Sequence, residues 1–330
     1  MLDEEVERLN KPVVYITRKI DETLLKDYKE SFEIKMWESE EEAVPRDELL
    51  KQVENADGLL CMISDQIDEE VFQAGKQLKV VANMGVGYNN IDLEAAKKRD
   101  IVVTNTPDVL TETTADLGFA LMMATARRVV EANQFIAADK WQEWGPFLMA
   151  GEDIHHKTLG IVGMGRIGEE VAKRAKGFDM KVLYHNRSRK PKAEETLNVE
   201  YAAFKHLLEQ SDYVMAVVPL TDETEKMFDQ KAFETMKSTA IFLNISRGQV
   251  VDDAALQNAL KNKEIKAAGL DVFTEEPIGS NHPYMQMDNV VCLPHIGSAT
   301  METRGTMIQL CLDNISGVMD GSGAKTAVTD

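Results

Sequence analysis

The sequence is poor in the residues that build disulfide or metal frameworks. Its 330 residues include three cysteines, Cys61, Cys292 and Cys311. They are odd in number, far apart and share no CxxC spacing. That argues against a disulfide scaffold or a zinc site and fits a reducing, cytoplasmic compartment. No apolar stretch reaches the length that spans a bilayer. The start, Met1-Leu2-Asp3-Glu4-Glu5, is acidic and lacks the pattern of a signal or transit peptide. The end, Thr326 to Asp330, carries no lipidation signal. Positive charge is also scarce: 37 lysines and arginines face 56 aspartates and glutamates, a formal charge of −19. Such a surface repels nucleic-acid phosphates and anionic membranes, so neither is expected as a partner. A small anion is still allowed, because a few focused cations build a local positive site. Metal-ligand spacings and nucleophile motifs such as GxSxG are absent as well.

What is present is a long alternation of apolar and amphipathic segments. The length suggests two domains, since one domain usually runs about 100–200 residues. Strands are expected at Val13–Ile16, Phe32–Trp37, Gly58–Met62 and Leu78–Ala82. Helices are expected at Asp21–Tyr28, Pro45–Glu54 (with Pro at the first turn) and Asp68–Ala74. Thr113 to Ala138 reads as one long helix, apolar around most of its circumference and therefore buried on several sides, between domains or subunits. A second alternation starts at Thr158. Its strands are Leu159–Val162, Lys181–Tyr184, Tyr213–Val218, Ile241–Asn244, Ala267–Leu270 and Val290–Leu293. A last helix, about Ala299 to Met319, is expected to cross back and complete the first domain. The pattern predicts an α/β chain with two doubly wound parallel sheets. A Rossmann-type cofactor domain, 106–297, would be inserted in a flavodoxin-like substrate domain, 1–105 completed by 298–330.

Gly163-Met164-Gly165-Arg166-Ile167-Gly168 follows a strand and opens a helix. The first glycine permits a tight turn, the second a close approach of backbone to pyrophosphate, the third close packing of helix on strand. Exposed N–H groups and the helix dipole then favour phosphate. GxGxxG alone is weak, but the strand–turn–helix context strengthens it. An Asp or Glu about 20 residues later would hold the ribose 2′-hydroxyl of NAD. Here the stretch is Tyr184-His185-Asn186-Arg187-Ser188-Arg189-Lys190, with no acid and three cations. A guanidinium binds a 2′-phosphate where a carboxylate would repel it. NADP(H), held by Arg187 with Asn186 and Ser188, is therefore expected over NAD(H). The plain alternative is a solvated basic turn.

Three later segments carry polar residues at strand ends. Arg247 follows a strand in Asn244-Ile245-Ser246-Arg247-Gly248, where a charge needs a partner. It could be a structural ion pair or a clamp for a substrate carboxylate. Asp271-Val272-Phe273-Thr274-Glu275-Glu276-Pro277 could be only a turn. His295 stands among small residues in Leu293-Pro294-His295-Ile296-Gly297-Ser298. Together, an Arg, an acid and a His beside a dinucleotide loop suit hydride transfer to a 2-oxo acid. Arg would hold the carboxylate, His would give a proton to the oxygen, and the acid would keep the imidazole charged and oriented.

These segments resemble the D-isomer-specific 2-hydroxyacid dehydrogenase family over nearly the whole chain. Further markers are Met84-Gly85-Val86-Gly87-Tyr88-Asn89-Asn90-Ile91-Asp92 and the run from Asn244 into Val250-Val251-Asp252. The resemblance implies that Arg247 binds and polarises substrate, that His295 donates the proton and that Glu276 is its partner. Val86 and Gly87 match the loop whose amides cradle the substrate carboxylate. Pro219, Thr224, Ile245, Ser246, Asp271 and Gly297 match cofactor-contact positions. The resemblance also implies a homodimer, with the region after Thr113 and the arm around Trp141 exchanging across the two-fold, and a cleft closing on hinges near Asn105 and Ser298. Within the family, Tyr184 to Lys190 resembles glyoxylate and hydroxypyruvate reductases and 2-ketoaldonate (2-ketogluconate) reductases. It departs from NAD-specific members, which carry Asp at the position of Asn186. A reading from another class, an NAD(H)-sensing corepressor-like binding protein, uses the same fold.

Overall fold

The computed structural model describes residues 11–328; the acidic start Met1–Glu5 and residues 329–330 lie outside them. The chain divides into two units. Thr111–Ala299 forms one, and the described residues on either side of it form the other. Each unit is built on a single all-parallel sheet.

The smaller unit contains β1 (Val13–Ile16), β2 (Glu33–Met36), β3 (Gly58–Met62), β4 (Val80–Met84) and β5 (Val102–Thr104). Their order is β2-β1-β3-β4-β5. β1, β3 and β4 are runs such as VVYI and GLLCM, because a parallel strand covered on both faces has no solvent side to keep polar. Two apolar clusters cover the faces. One holds Leu49, Val53, Val71, Phe72, Ala95 and Ala96. The other is completed by the helix Met301–Asp320, which lays Ile308, Cys311, Leu312 and Ile315 against Val14, Leu60 and Val80. Residues beyond that helix return to β5, where Ala327 bridges Thr104 in antiparallel sense.

The larger unit contains β6 (Thr158–Val162), β7 (Lys181–His185), β8 (Glu200–Tyr201), β9 (Tyr213–Ala216), β10 (Ile241–Asn244), β11 (Ala267–Leu270) and β12 (Val290–Cys292). The order β12-β11-β10-β9-β6-β7-β8 reverses direction between β6 and β9. That reversal is the switch point at which doubly wound sheets bind ligands, beyond the strands' carboxyl ends. Several helices start at acidic caps. Asp68, Asp92, Asp229 and Asp252 each accept a backbone N–H of the first turn, so part of the chain's negative charge serves as helix caps. Among the described residues no helix is long and apolar enough to cross a membrane.

Three sequence expectations change. Asp21–Tyr28 contains only a single 3-10 turn, Glu22–Leu25. Pro45 precedes its helix, which runs Arg46–Val53, instead of occupying the first turn. The long apolar helix is two helices, Thr111–Ala126 and Val129–Ala137. The break falls at Arg128, whose backbone is left-handed (φ 54°) and whose guanidinium is held by Glu131 at 2.6 and 2.8 Å. Only the first helix is buried as expected, with Ala115, Phe119, Leu121 and Met122 in the core. The second has no buried residue.

Candidate active site

The loop after β6 shows three glycines doing three different things. Gly163 has φ +110°, and a Cβ there would lie 2.6 Å from the Val217 carbonyl oxygen. Only glycine turns the chain this sharply beside β9. A Cβ on Gly168 would lie 2.3 Å from the Gly163 carbonyl oxygen, so its absence lets the helix Arg166–Lys176 sit on the loop. A Cβ on Gly165 would meet nothing within 4 Å. The fold therefore leaves that position open, and a dinucleotide's pyrophosphate is what needs bare backbone there. No side chain caps this helix, which leaves its N-terminal dipole to an anion. The Met164 side chain is fully buried in the core and Ile167 packs against it. Only the backbone of Met164 is left for a ligand.

The turn after β7 sorts its cations. Arg189 is taken by Glu194, at 2.5 and 3.1 Å, and lies over the Tyr201 ring. Asn186 Nδ2 donates to the Ser188 carbonyl at 3.1 Å and shapes the turn. Arg187 is exposed. Its charge reaches Glu223, whose pKa is lowered first by the Thr221 hydroxyl and also by Arg187. The loop after β9 is closed by Thr224, whose hydroxyl donates to the Pro219 carbonyl at 2.6 Å.

The polar residues after β10, β11 and β12 come together at adjacent strand ends. Asn244 organises the first loop. Its Nδ2 donates to the Arg247 carbonyl at 2.9 Å, and its Oδ1 accepts from the Ser246 N–H and hydroxyl at 3.0 and 2.9 Å. Ser246 thus spends both donors inside the protein, and the Ile245 side chain is in the core. A Cβ on Gly248 would fall 1.8 Å from the Phe273 carbonyl carbon. The first loop therefore lies directly on the second, which puts Arg247 beside Glu276. Burial pushes the Arg247 pKa down, and the Glu276 charge opposes that. A largely desolvated guanidinium of this kind favours an incoming carboxylate.

Glu276 Oε2 lies 2.7 Å from His295 Nδ1, and its Oε1 accepts the Phe273 N–H at 2.8 Å. Burial alone would raise the Glu276 pKa. The bond and charge of His295, the Phe273 N–H and Arg247 outweigh it, so the pKa is lowered. His295 itself sits in left-handed backbone, φ 53°. Its N–H donates to the Asp271 carbonyl at 2.9 Å, and the Asp271 carboxylate accepts the Ile296 N–H at 2.8 Å. Asp271 is 1% exposed. Burial raises its pKa to about 6, against the pull of the Ile296 N–H and of His295. Gly297 passes over this carboxylate, where a Cβ would lie 3.4 Å from Oδ2. Asp271 thus holds the loop that carries His295, a role that no local sequence pattern marks. Val86 and Gly87 lie in the other unit, after β4.

Gly165→Ala should keep the melting temperature, because the fold leaves room for the methyl group. It should weaken dinucleotide binding by about tenfold or more, the scale of a steric overlap of about 1.4 kcal/mol. Titration of protein fluorescence with cofactor, beside a thermal melt, checks both; wild-type affinity would remove the loop from the phosphate site.

Residues 119–297 match the family described as D-isomer specific 2-hydroxyacid dehydrogenase, NAD binding domain. The chain is 48% identical to a glyoxylate reductase of Pyrococcus horikoshii, over 96% of each chain. It is 49% identical to a glyoxylate reductase of Korarchaeum cryptofilum, over 92% of each. Among solved structures, the TT0316 protein of Thermus thermophilus superposes with TM-score 0.90 at 42% identity, covering 96% of this chain and 99% of that one. An NADPH-dependent glyoxylate/hydroxypyruvate reductase of Sinorhizobium meliloti, in complex with NADP and malonate, gives 0.84 at 32% identity, covering 97% of each. The open glycine loop at the switch point and the Glu276–His295 pair thus sit in a chain that belongs to the D-isomer-specific 2-hydroxyacid dehydrogenases, oxidoreductases that use a nicotinamide dinucleotide.

Proposed function

We propose that the chain reduces glyoxylate or hydroxypyruvate with NADPH, yielding glycolate or D-glycerate. The 2.7 Å contact between Glu276 and His295 Nδ1 carries the reading. It occupies one ring nitrogen, fixes the orientation of the ring and leaves Nε2 as the proton donor. Arg247 holds the substrate carboxylate and polarises its carbonyl. Val86 and Gly87, in the smaller unit, offer backbone amides to a carboxylate. Bound at the glycine loop, the cofactor supplies the hydride. His295 gives its proton to the carbonyl oxygen as the alcohol forms and recovers one from solvent. A carboxylate-binding guanidinium and one proton donor suit a small 2-oxo acid. The names of the relatives, and the free cysteines Cys61, Cys292 and Cys311, support such an enzyme working in the cytoplasm, and favour it over a corepressor-like binding protein. A larger 2-ketoaldonate is the second substrate class on the panel below.

NADPH is proposed over NADH because the turn after β7 holds no carboxylate and keeps Arg187 exposed while Arg189 is engaged. Steady-state kinetics with glyoxylate, hydroxypyruvate and 2-ketogluconate, each with both cofactors, test the reading. The expected result is a higher kcat/KM with NADPH and either small acid, and loss of about tenfold or more of that cofactor preference in Arg187→Ala, the worth of one charge-assisted bond. A preference for NADH in the wild type would overturn the cofactor assignment, and inactivity toward all three acids the substrate assignment.

We also propose that the partner is a second copy. Val129 is 54% exposed, Ile136 56%, Trp144 81% and Phe147 85%. Beside them an open groove of about 500 Å³ is lined by apolar residues such as Phe119, Met123, Val129 and Phe178, together with Asp116 and Arg174. An apolar surface of this extent marks an interface. A two-fold related copy would let the same patch cover itself. Analytical ultracentrifugation should give a dimer, converted to monomer by Val129→Glu with Ile136→Glu; a wild-type monomer at micromolar concentration would contradict it.

A further inference from the structure

The turn that follows β4 in the smaller unit is tied down at three successive carbonyls. The Thr106 N–H donates to the Gly85 oxygen at 2.9 Å. Asn105 Nδ2 donates to the Val86 oxygen at 2.8 Å, and Asn83 Nδ2 to the Gly87 oxygen at 2.9 Å. In a trans peptide the N–H points opposite to the C=O. Each tether therefore turns the next N–H away from the donor that holds the carbonyl. Those N–H groups belong to Val86, Gly87 and Tyr88, and none of them donates a hydrogen bond among the described residues. Three adjacent amides without a partner among the described residues are available to an anion.

The tethers are themselves held. Asn83 is fully buried. Its Oδ1 accepts from Asn90 Nδ2 at 3.3 Å and faces the Cys61 thiol at 3.6 Å. Asn90 Nδ2 in turn donates to the Met62 and Asp65 carbonyls, at 3.2 and 3.0 Å. With donors gathered around Oδ1, the Asn83 amide has its Nδ2 free for Gly87 and no reason to flip. The backbone of Asn105 is gripped by the end of the chain. The Thr326 hydroxyl donates to the Asn105 oxygen at 2.6 Å, and Asn314 Nδ2 donates to that hydroxyl at 2.8 Å. The Asn105 N–H also reaches the Thr326 oxygen, at 3.3 Å. Gly85 completes the device, since a Cβ there would lie 2.3 Å from Ile63 Cγ2 and would lift the turn.

We propose that Asn83 and Asn105 are positioning residues for the substrate carboxylate. They aim the amides of Gly87 and Tyr88, beside the Val86 amide that the Thr106 backbone aims, as one preformed row, and Thr326 keeps Asn105 in place. The proposal rests on the reading of Val86 and Gly87 as carboxylate-binding. It extends that reading to three amides and names the side chains that orient two of them. Preorganisation of this sort lowers the cost of ordering on binding and so acts on substrate affinity. A merely structural role for the asparagines would change stability and leave affinity alone.

The test is steady-state kinetics of the full chain with glyoxylate, beside thermal melts, for Asn105→Ala, Thr326→Val, Thr104→Val and Val86→Pro. Asn105→Ala should raise KM for glyoxylate by about tenfold or more, with kcat and the KM for NADPH changed far less. Thr326→Val should move KM in the same direction by a smaller factor. Thr104→Val alters a buried neighbour whose hydroxyl finds no partner among the described residues, and should leave KM unchanged. Val86→Pro deletes one amide and should raise KM if the turn binds the carboxylate. A folded Asn105→Ala with wild-type KM, while Val86→Pro is impaired, overturns the positioning role and leaves the carboxylate reading standing. Wild-type KM in a folded Val86→Pro overturns that reading, and this proposal with it. Should Asn105→Ala not fold, Thr326→Val decides, and an unchanged KM there overturns the proposal.

Discussion

The hydrogen bond between Glu276 and His295 joins the loops after β11 and β12, and the polar end of the larger unit is arranged around it. Neither residue could take its place unaided. His295 is in left-handed backbone, a conformation that costs a non-glycine residue about 1–3 kcal/mol, and two bonds to Asp271 hold the segment there. Glu276 is aimed by the Phe273 N–H. Gly248 lets the loop after β10 lie on Phe273, so that Arg247 shares the Glu276 charge. Remove the stack of backbone on backbone and the three side chains have no reason to converge.

The same economy appears in the smaller unit. There a turn with no charged group is made attractive to an anion by engaging its carbonyls. Each unit has its own group suited to an anion, a guanidinium in one and a row of amides in the other. The glycine loop works by the third variant of the same physics, backbone left bare at a helix start. Each device depends on what a strand end makes available, namely N–H and C=O groups released from the ladder.

Much of this is legible in the order of the residues alone. The doubly wound sheets follow from runs such as LGIV and IFLN between amphipathic segments, and most strands fall within two residues of their expected bounds. Arg247, Glu276 and His295 can be named because strand ends and motif order mark them. What cannot be read there depends on contacts distant in sequence. Nothing local shows that Asn105 turns its amide to Val86, or that Thr326 returns to grip it from 221 residues away. The break at Arg128 is hidden because the apolar pattern runs straight through it, and it is made by a left-handed residue paired to Glu131. Arg187 and Arg189 look alike in the sequence, and only the position of Glu194 separates the paired one from the exposed one.

The central claim is that Glu276 holds His295 in place as the proton donor through the bond to Nδ1. It is tested most directly by steady-state kinetics of glyoxylate reduction in Glu276→Ala, beside a thermal melt. Loss of the bond should lower kcat by about a hundredfold or more, the scale of general acid catalysis. A folded variant with wild-type kcat would contradict the account.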